Sequence, residues 1–344
     1  MTQWASSRVH KSRIAPISFF LTLTTLIGTS WVPSVAAPTV KIAVIYDIGG
    51  RGDGGINDAA ALGVDKAKKK FGLGPLALRE IATDGTDLDR LLKIRFLANA
   101  GYSPILLVGY GFQSSLAVAM NEFPSTEFAI IDNSNVGQLN VECMVFNEAQ
   151  SSYLAGVLAA SASKSGKIAL LLDVDRTNLR DLNRAFLLGA QSIKPKIQVL
   201  AQNWGVSPSS DAASMAQRGA DVFYSTWNQS SDVMDAIVAR TTKSKPLRYI
   251  GVLPDQFFLR STKAKSVLLG AVQKRVDLAT YDVISYGLSH RSFLDALDSE
   301  NGIFGREYSF KDGGVDLLVP ALGSKYVAAV LRAEALIKSG RVNL

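Results

Sequence analysis

Val40-Lys41-Ile42-Ala43-Val44-Ile45-Tyr46 is a nearly unbroken apolar run, followed by a Gly- and Asp-rich stretch over residues 47–57. Residues 58–71 then set Ala, Leu and Val on one face and lysines on the other. A run without apolar–polar alternation reads as a strand buried on both faces, and the 3.6-residue pattern behind it as an amphipathic helix. The same unit recurs outward. Strands are expected over 76–81, 104–108 and 127–132, with helices over 87–99 and 114–123 between them. A second series has helices over 149–163, 179–193, 210–218 and 231–240 and strands over 167–173, 198–203, 222–226 and 248–252. A strand over 267–272 and a helix over 278–288 close it. Such alternation requires βαβ crossovers and parallel sheets covered on both sides, so two α/β lobes are predicted.

The composition agrees with this and removes several classes of chemistry. The chain has 344 residues, 47% hydrophobic and 19% charged, with 28 Gly, 11 Pro, one Cys and two His. These values are those of an ordinary globular protein of about two domains. Cys143 alone cannot form an internal disulfide or a CxxC knuckle, and with only His10 and His290 no His-based metal centre is expected.

Residues 1–36 read as a secretory signal. Arg8, Lys11 and Arg13 precede an apolar, Thr-broken stretch from Ile14 to Val32, and Pro33-Ser34-Val35-Ala36-Ala37 supplies small residues for a cut after Ala36. An uncleaved N-terminal anchor is the alternative. Removing these residues lowers the formal charge from +7 to +4, and the remaining excess is spread along the chain. No nucleic-acid footprint is therefore expected. The expected location is outside the cytoplasmic membrane, periplasmic or at the cell surface.

Ligands of open parallel sheets sit beyond the C-terminal strand ends. The candidate segments are accordingly residues 47–57, 109–112, 132–133, 225–228 and 253–256, with Lys274 after the late strand. Gly50-Arg51-Gly52-Asp53-Gly54-Gly55 fits the dinucleotide pattern G-x-G-x-x-G between a strand and a helix. Asp53, however, would put a carboxylate where a pyrophosphate needs backbone N–H groups. No cofactor is expected. Gly166-Lys167-Ile168 is no phosphate-binding loop, no G-x-S-x-G is present, and Asp173-Val174-Asp175 lacks the rest of a calcium loop. No catalytic residue and no metal ligand is assigned, so no enzyme is expected.

The run Ile45-Tyr46-Asp47, then Asp53-Gly54-Gly55-Ile56-Asn57 and Gly63, resembles the opening signature of the basic membrane protein family of purine-nucleoside-receptor type. The similarity continues in order through Val108-Gly109-Tyr110-Gly111-Phe112, Phe128-Ala129-Ile130-Ile131-Asp132 and Phe146-Asn147-Glu148 with Tyr153-Leu154-Ala155-Gly156. Farther on it includes Gly189-Ala190, Gly219-Ala220-Asp221-Val222, Asp255-Gln256, Lys274-Arg275-Val276-Asp277 and Lys311-Asp312-Gly313-Gly314-Val315.

The resemblance implies a type I periplasmic-binding-protein fold, with two doubly wound parallel-sheet lobes and a ligand cleft between them. It implies capture of a nucleoside-like small molecule and its delivery to an ABC permease by a monomer. The alternative within the same fold is a sensor reporting to a membrane partner. Its site, carried onto this chain, is Asp53, Asn57, Phe112, Asp132, Asp255 and Lys274. Trp227 is a further candidate as a stacking face. Two departures stand out: Ile56 where the family has a stacking Phe, and Leu253 where it has an acid. No cysteine lies near the signal, so lipid anchoring is not implied. The expected division is lobe 1 over 38–147 with 267–293, and lobe 2 over 148–266 with 294–344.

Overall fold

Strand β1 (Ile42–Tyr46) is buried at every position, and its side chains divide between two cores. Successive Cβ atoms of a strand point to opposite faces. Ile42, Val44 and Tyr46 accordingly join Ala60 and Val64 of α1 (Ile56–Phe71), while Ala43 and Ile45 join Ile94 and Leu97 of α2 (Asp87–Asn99) and Leu116 of α3 (Gln113–Glu122). That two-sided burial is why the strand reads as continuously apolar. The computed structural model describes residues 40–134, 138–172, 179–203, 208–226, 231–252, 262–289, 291, 304–342 and 344. The expected signal over 1–36, together with Trp227, Asp255, Leu253 and His290, lies outside the described residues.

The first lobe is a six-stranded sheet in the order β11-β5-β4-β3-β1-β2, and every neighbouring pair is parallel. Its other strands are β2 (Leu78–Ala82), β3 (Ile105–Val108), β4 (Phe128–Ile131), β5 (Val141–Phe146) and β11 (Gly305–Tyr308). The second sheet has the order β12-β10-β9-β8-β6-β7. It is built from β6 (Lys167–Leu172), β7 (Gln198–Asn203), β8 (Val222–Ser225), β9 (Arg248–Val252), β10 (Leu268–Lys274) and β12 (Val315–Leu318), with only the β10–β12 pair antiparallel. Around it lie α4 (Glu148–Ala162), α5 (Leu179–Ile193), α6 (Pro208–Gln217), α7 (Ser231–Arg240) and the short α8 (Thr262–Lys265). The remaining helices are α9 (Val276–Leu288), packed on α1, and α10 (Val327–Lys338), packed on α4. The chain thus has two parallel-sheet lobes, as the alternation predicts.

Two glycines of the motif blocks set a helix crossing. A Cβ on Gly156 of α4 would lie 2.1 Å from the Phe186 carbonyl oxygen, and one on Gly189 of α5 2.0 Å from that of Tyr153. The two backbones touch there, and any side chain would push the helices apart.

The strand pairing differs from the sequence reading at two segments. Residues 268–274, expected in lobe 1, form the second strand of the second sheet, whereas residues 305–308, expected in lobe 2, form an edge strand of the first. The chain crosses between lobes between β5 and α4, between β10 and α9, and between β11 and β12. These crossings are tied together. The Asn147 N–H donates to the Tyr308 carbonyl at 2.8 Å, the Arg275 N–H to that of Gly314 at 2.8 Å, and the Phe310 N–H to Gln150 Oε1 at 2.9 Å.

Candidate functional site

Lys274 ends β10 at a crossing and is only 2% exposed. An ammonium taken out of water needs compensating acids. Two supply it: Asp132, immediately after β4 of lobe 1, and Glu148, the first residue of α4, whose Oε1 lies 2.8 Å from Nζ. The Phe146 ring lies 5.9 Å below the same ammonium. Asp132 has φ of 65°, the left-handed region that few non-glycine residues enter, and Asp is among those that do. Its N–H is held by the Met144 carbonyl at 2.9 Å. Strand ends from both lobes therefore converge on one buried charge node. Asp132 and Lys274 were both expected at the site; Glu148 was not. Its signal was its place in the Phe146-Asn147-Glu148 block, where an acid at a helix start reads as an ordinary cap.

The first loop is organised differently. Asn57 is 1% exposed, and its side chain is spent on the loop's own backbone. Oδ1 accepts from the Asp47 N–H at 3.0 Å, and Nδ2 donates to the carbonyls of Asp47 and Ile48 at 3.4 and 3.2 Å. The Asp53 carboxylate accepts from the N–H groups of Gly55, Asn57 and Asp58 at 2.7, 3.2 and 3.2 Å, which caps α1. Asp58 reaches back to the N–H groups of Gly52 and Gly54 at 2.6 and 2.9 Å. The glycine donors that a pyrophosphate would need are thus occupied by the carboxylates of Asp53 and of Asp58 in the first turn of α1.

Phe112 is fully buried in the cluster beneath α2 and α3, with the Arg90 guanidinium 5.6 Å over its ring. Ile56 is partly buried against the core on the α1 side. Asp47 carries an arrangement the sequence reading did not single out. Arg90 donates to both of its oxygens at 2.9 Å, and the Thr83 hydroxyl adds a bond at 3.0 Å. The partners are 43 and 36 residues away, a separation that no local pattern reveals.

A further buried acid stands apart from the node. Glu142 of β5 is 2% exposed and its Oε2 has no hydrogen-bond partner. Burial pushes its carboxyl up to about 7; Asp282 and Glu127 add to the shift and Arg306 opposes it. Asp282 of α9 accepts from Arg306 at 2.9 Å and from the Tyr308 hydroxyl at 3.1 Å, and burial raises its own carboxyl.

Over residues 39–329 the chain matches the Bmp family, described as "ABC transporter substrate-binding protein PnrA-like". It belongs to this family. An ABC transporter nucleoside-binding protein, BmpA, of Lactococcus lactis subsp. cremoris is 25% identical over 89% of each chain. A protein of Pyrococcus abyssi named an uncharacterized lipoprotein is 28% identical over 58% of this chain and 52% of its own. Among solved structures, an ABC-transporter solute-binding protein of Aeropyrum pernix superposes with a TM-score of 0.69 at 21% identity, over 88% of this chain and 92% of that one. The Bmp resemblance read from the motif blocks is thereby established, and the periplasmic-binding fold with it. Among the described residues no helix is long and apolar enough to cross a membrane.

Proposed function

We propose that this Bmp-family protein is an extracytoplasmic receptor that captures a nucleoside-like molecule between its lobes and delivers it to an ABC importer. The observation that carries this reading is the Lys274 node. A buried ammonium shared by acids from both lobes is a polar group that a ligand's hydroxyls or ring nitrogens can engage while the lobes move about the crossings. The node supplies Asp132, Lys274 and Glu148. Trp227 and Asp255 are proposed as further ligand contacts. Asp53 and Asn57 act by holding the first loop rather than by touching the ligand. The similarity to a named nucleoside-binding protein supports the ligand class. Ile56 and Leu253, in place of an aromatic and an acid, favour a ligand that differs from an ordinary purine nucleoside.

A thermal-shift screen of nucleosides, bases and pentoses tests the reading. A ligand present at 100 times its Kd adds about 2.7 kcal/mol of stability. Asp132→Asn and Lys274→Gln are then expected to weaken that ligand by about 1–3 kcal/mol, roughly five- to 150-fold in Kd. Unchanged affinity in both variants, measured by calorimetry, would remove the node from the site.

A further inference from the structure

The segments that lead into β6, β7, β8, β9 and β10 are residues 164–167, 194–197, 218–221, 241–248 and 264–267. These strands are parallel in the order β10-β9-β8-β6-β7, so the five segments meet at one edge of the second sheet. They hold nine Lys or Arg and one acid, Asp221, whose carboxylate is taken by the Ser163 hydroxyl and the N–H groups of Lys164 and Ser165 at 2.6, 2.6 and 2.8 Å. In sequence these segments are dispersed, which is why the positive excess reads as spread along the chain; the sheet gathers it. Helix ends explain part of the arrangement. Helices α4, α5, α6 and α7 finish at this edge, and Lys167, Lys194 and Lys245 donate to the carbonyls of Arg218, Ser163 and Ala216 at or just past those ends. The rest is unexplained by capping. Lys164, Lys196, Arg218, Lys243 and Lys265 are exposed, and none of their side chains meets an acid or a hydrogen-bond partner among the described residues. The matching edge of the first sheet has strand starts and helix ends of the same kind without the charge: its segments 40–41, 72–77, 100–104 and 123–127 hold Lys41 and Glu127 as their only charged residues. A fold that used the cations only as caps would need them in both lobes.

We propose that this edge of the second lobe rests on the headgroups of an anionic phospholipid bilayer. Neighbouring strands lie about 4.8 Å apart, so five strand starts spread the cations over roughly 20 Å. That is a surface rather than a pocket, and it suits a partner whose own charge is spread out. Each Lys or Arg held near such a bilayer strengthens binding by roughly fivefold, and salt screens the effect. Two other kinds of partner fit less well. The five segments contain no aromatic residue on which a nucleic-acid base could stack. Their larger apolar side chains, Ile197, Leu247 and Val267, are buried, so the apolar centre of a protein interface is missing as well. The choice of a bilayer rests on the reading of this protein as an extracytoplasmic receptor that works beside a membrane importer. Lys274 lies at the opposite end of β10, so attachment here leaves the charge node uncovered.

Co-sedimentation of the full chain with vesicles, in the absence of any small-molecule ligand, reads the attachment directly. Binding to phosphatidylcholine mixed with an equal part of phosphatidylglycerol is expected to exceed binding to phosphatidylcholine alone by at least about tenfold, and to fall steeply as salt is raised. Lys196→Glu with Lys243→Glu should weaken it by roughly 25-fold, two cations at fivefold each. Both side chains are exposed and unpartnered, so the melting temperature should stay within about two degrees of the parent. Lys69→Glu with Lys70→Glu makes the same change of net charge on exposed positions of α1 in the first lobe, and should weaken binding by less than about threefold. Equal binding to the two kinds of vesicle, or none to either, would overturn the proposal. So would a second-lobe variant that loses no more than the α1 variant, since the attraction would then belong to net charge and not to this edge. Retention on duplex DNA in preference to the anionic vesicles at equal salt would also overturn it and assign the edge to a nucleic acid. Because no ligand is present, failure of this assay and failure of nucleoside capture are separate results.

Discussion

The first loop, residues 47–57, and the Lys274 node both gather polar side chains beyond the C-terminal ends of parallel strands, yet they spend them differently. In the loop, Asn57, Asp53 and Asp58 are saturated by backbone groups within about a dozen residues. At the node, Lys274 is held by side chains 142 and 126 residues away, on either side of the lobe crossings. A polar group satisfied by its own loop stabilises that loop. Lys274, held by Glu148 of its own lobe and by Asp132 of the other, links the two lobes at that point. The motif that looked most like a binding signature holds its own backbone, whereas the charge node joins three separate motif blocks that only the fold brings together.

The largest expected effect breaks the node. Removing both acids, Asp132→Ala with Glu148→Ala, leaves the Lys274 ammonium buried without an anion and should cost about 3–5 kcal/mol in urea unfolding of the unliganded protein. A loss below about 1 kcal/mol would mean that water already reaches Nζ, and the contrast with the loop would lapse.

Glu142 offers the complementary case, a buried carboxyl with one oxygen unpartnered. Its folded-state pKa of about 7 lies above the value of about 4.3 expected when unfolded. The folded chain therefore binds the extra proton between those two values. The contribution is fully present below the unfolded pKa and is lost as pH rises toward 7, an effect on the order of 3–4 kcal/mol. Glu142→Gln should flatten this part of the stability profile between pH 4.5 and pH 7.5 and raise the melting temperature at pH 8. A variant with the parent's slope would show that Glu142 is not the group whose proton uptake shapes this range.

The loop gives the smallest effects. Asn57→Ala strands buried backbone groups of Asp47 and Ile48, at a cost of about 1–3 kcal/mol. Asp53→Ala removes a helix cap, at about 0.5–2 kcal/mol. Both should lower the melting temperature of the unliganded protein and, at saturating ligand, leave the ligand-induced shift nearly intact. If Asn57→Ala instead abolished that shift with little loss of stability, the loop would belong with the node.

Much of the fold was legible because parallel strands buried on both faces advertise themselves. Ile42–Tyr46, Ile105–Val108 and Lys167–Leu172 were all located as apolar runs of the right length. The strands missed were Val141–Phe146, Gly305–Tyr308 and Val315–Leu318, and with them the helix Val327–Lys338. Two are four-residue strands holding Arg, Glu or Asp, and Val141–Phe146 contains Glu142, so none shows a clean period. They lie next to the crossings, and their loss misplaced the two return segments.

The sequence by itself determined the class, the family and two members of the node, because local periodicity and ordered motif blocks are properties of neighbouring residues. Only the tertiary structure decided what the polar residues do. Whether Asn57 faces a ligand or its own loop, whether Phe112 lines a cleft or fills a core, and that Glu148 joins Asp132 on Lys274 depend on where distant strand ends meet. A hydrogen bond or ion pair is fixed by distances of about 3 Å, and the segments that come so close at the node are more than a hundred residues apart in the chain.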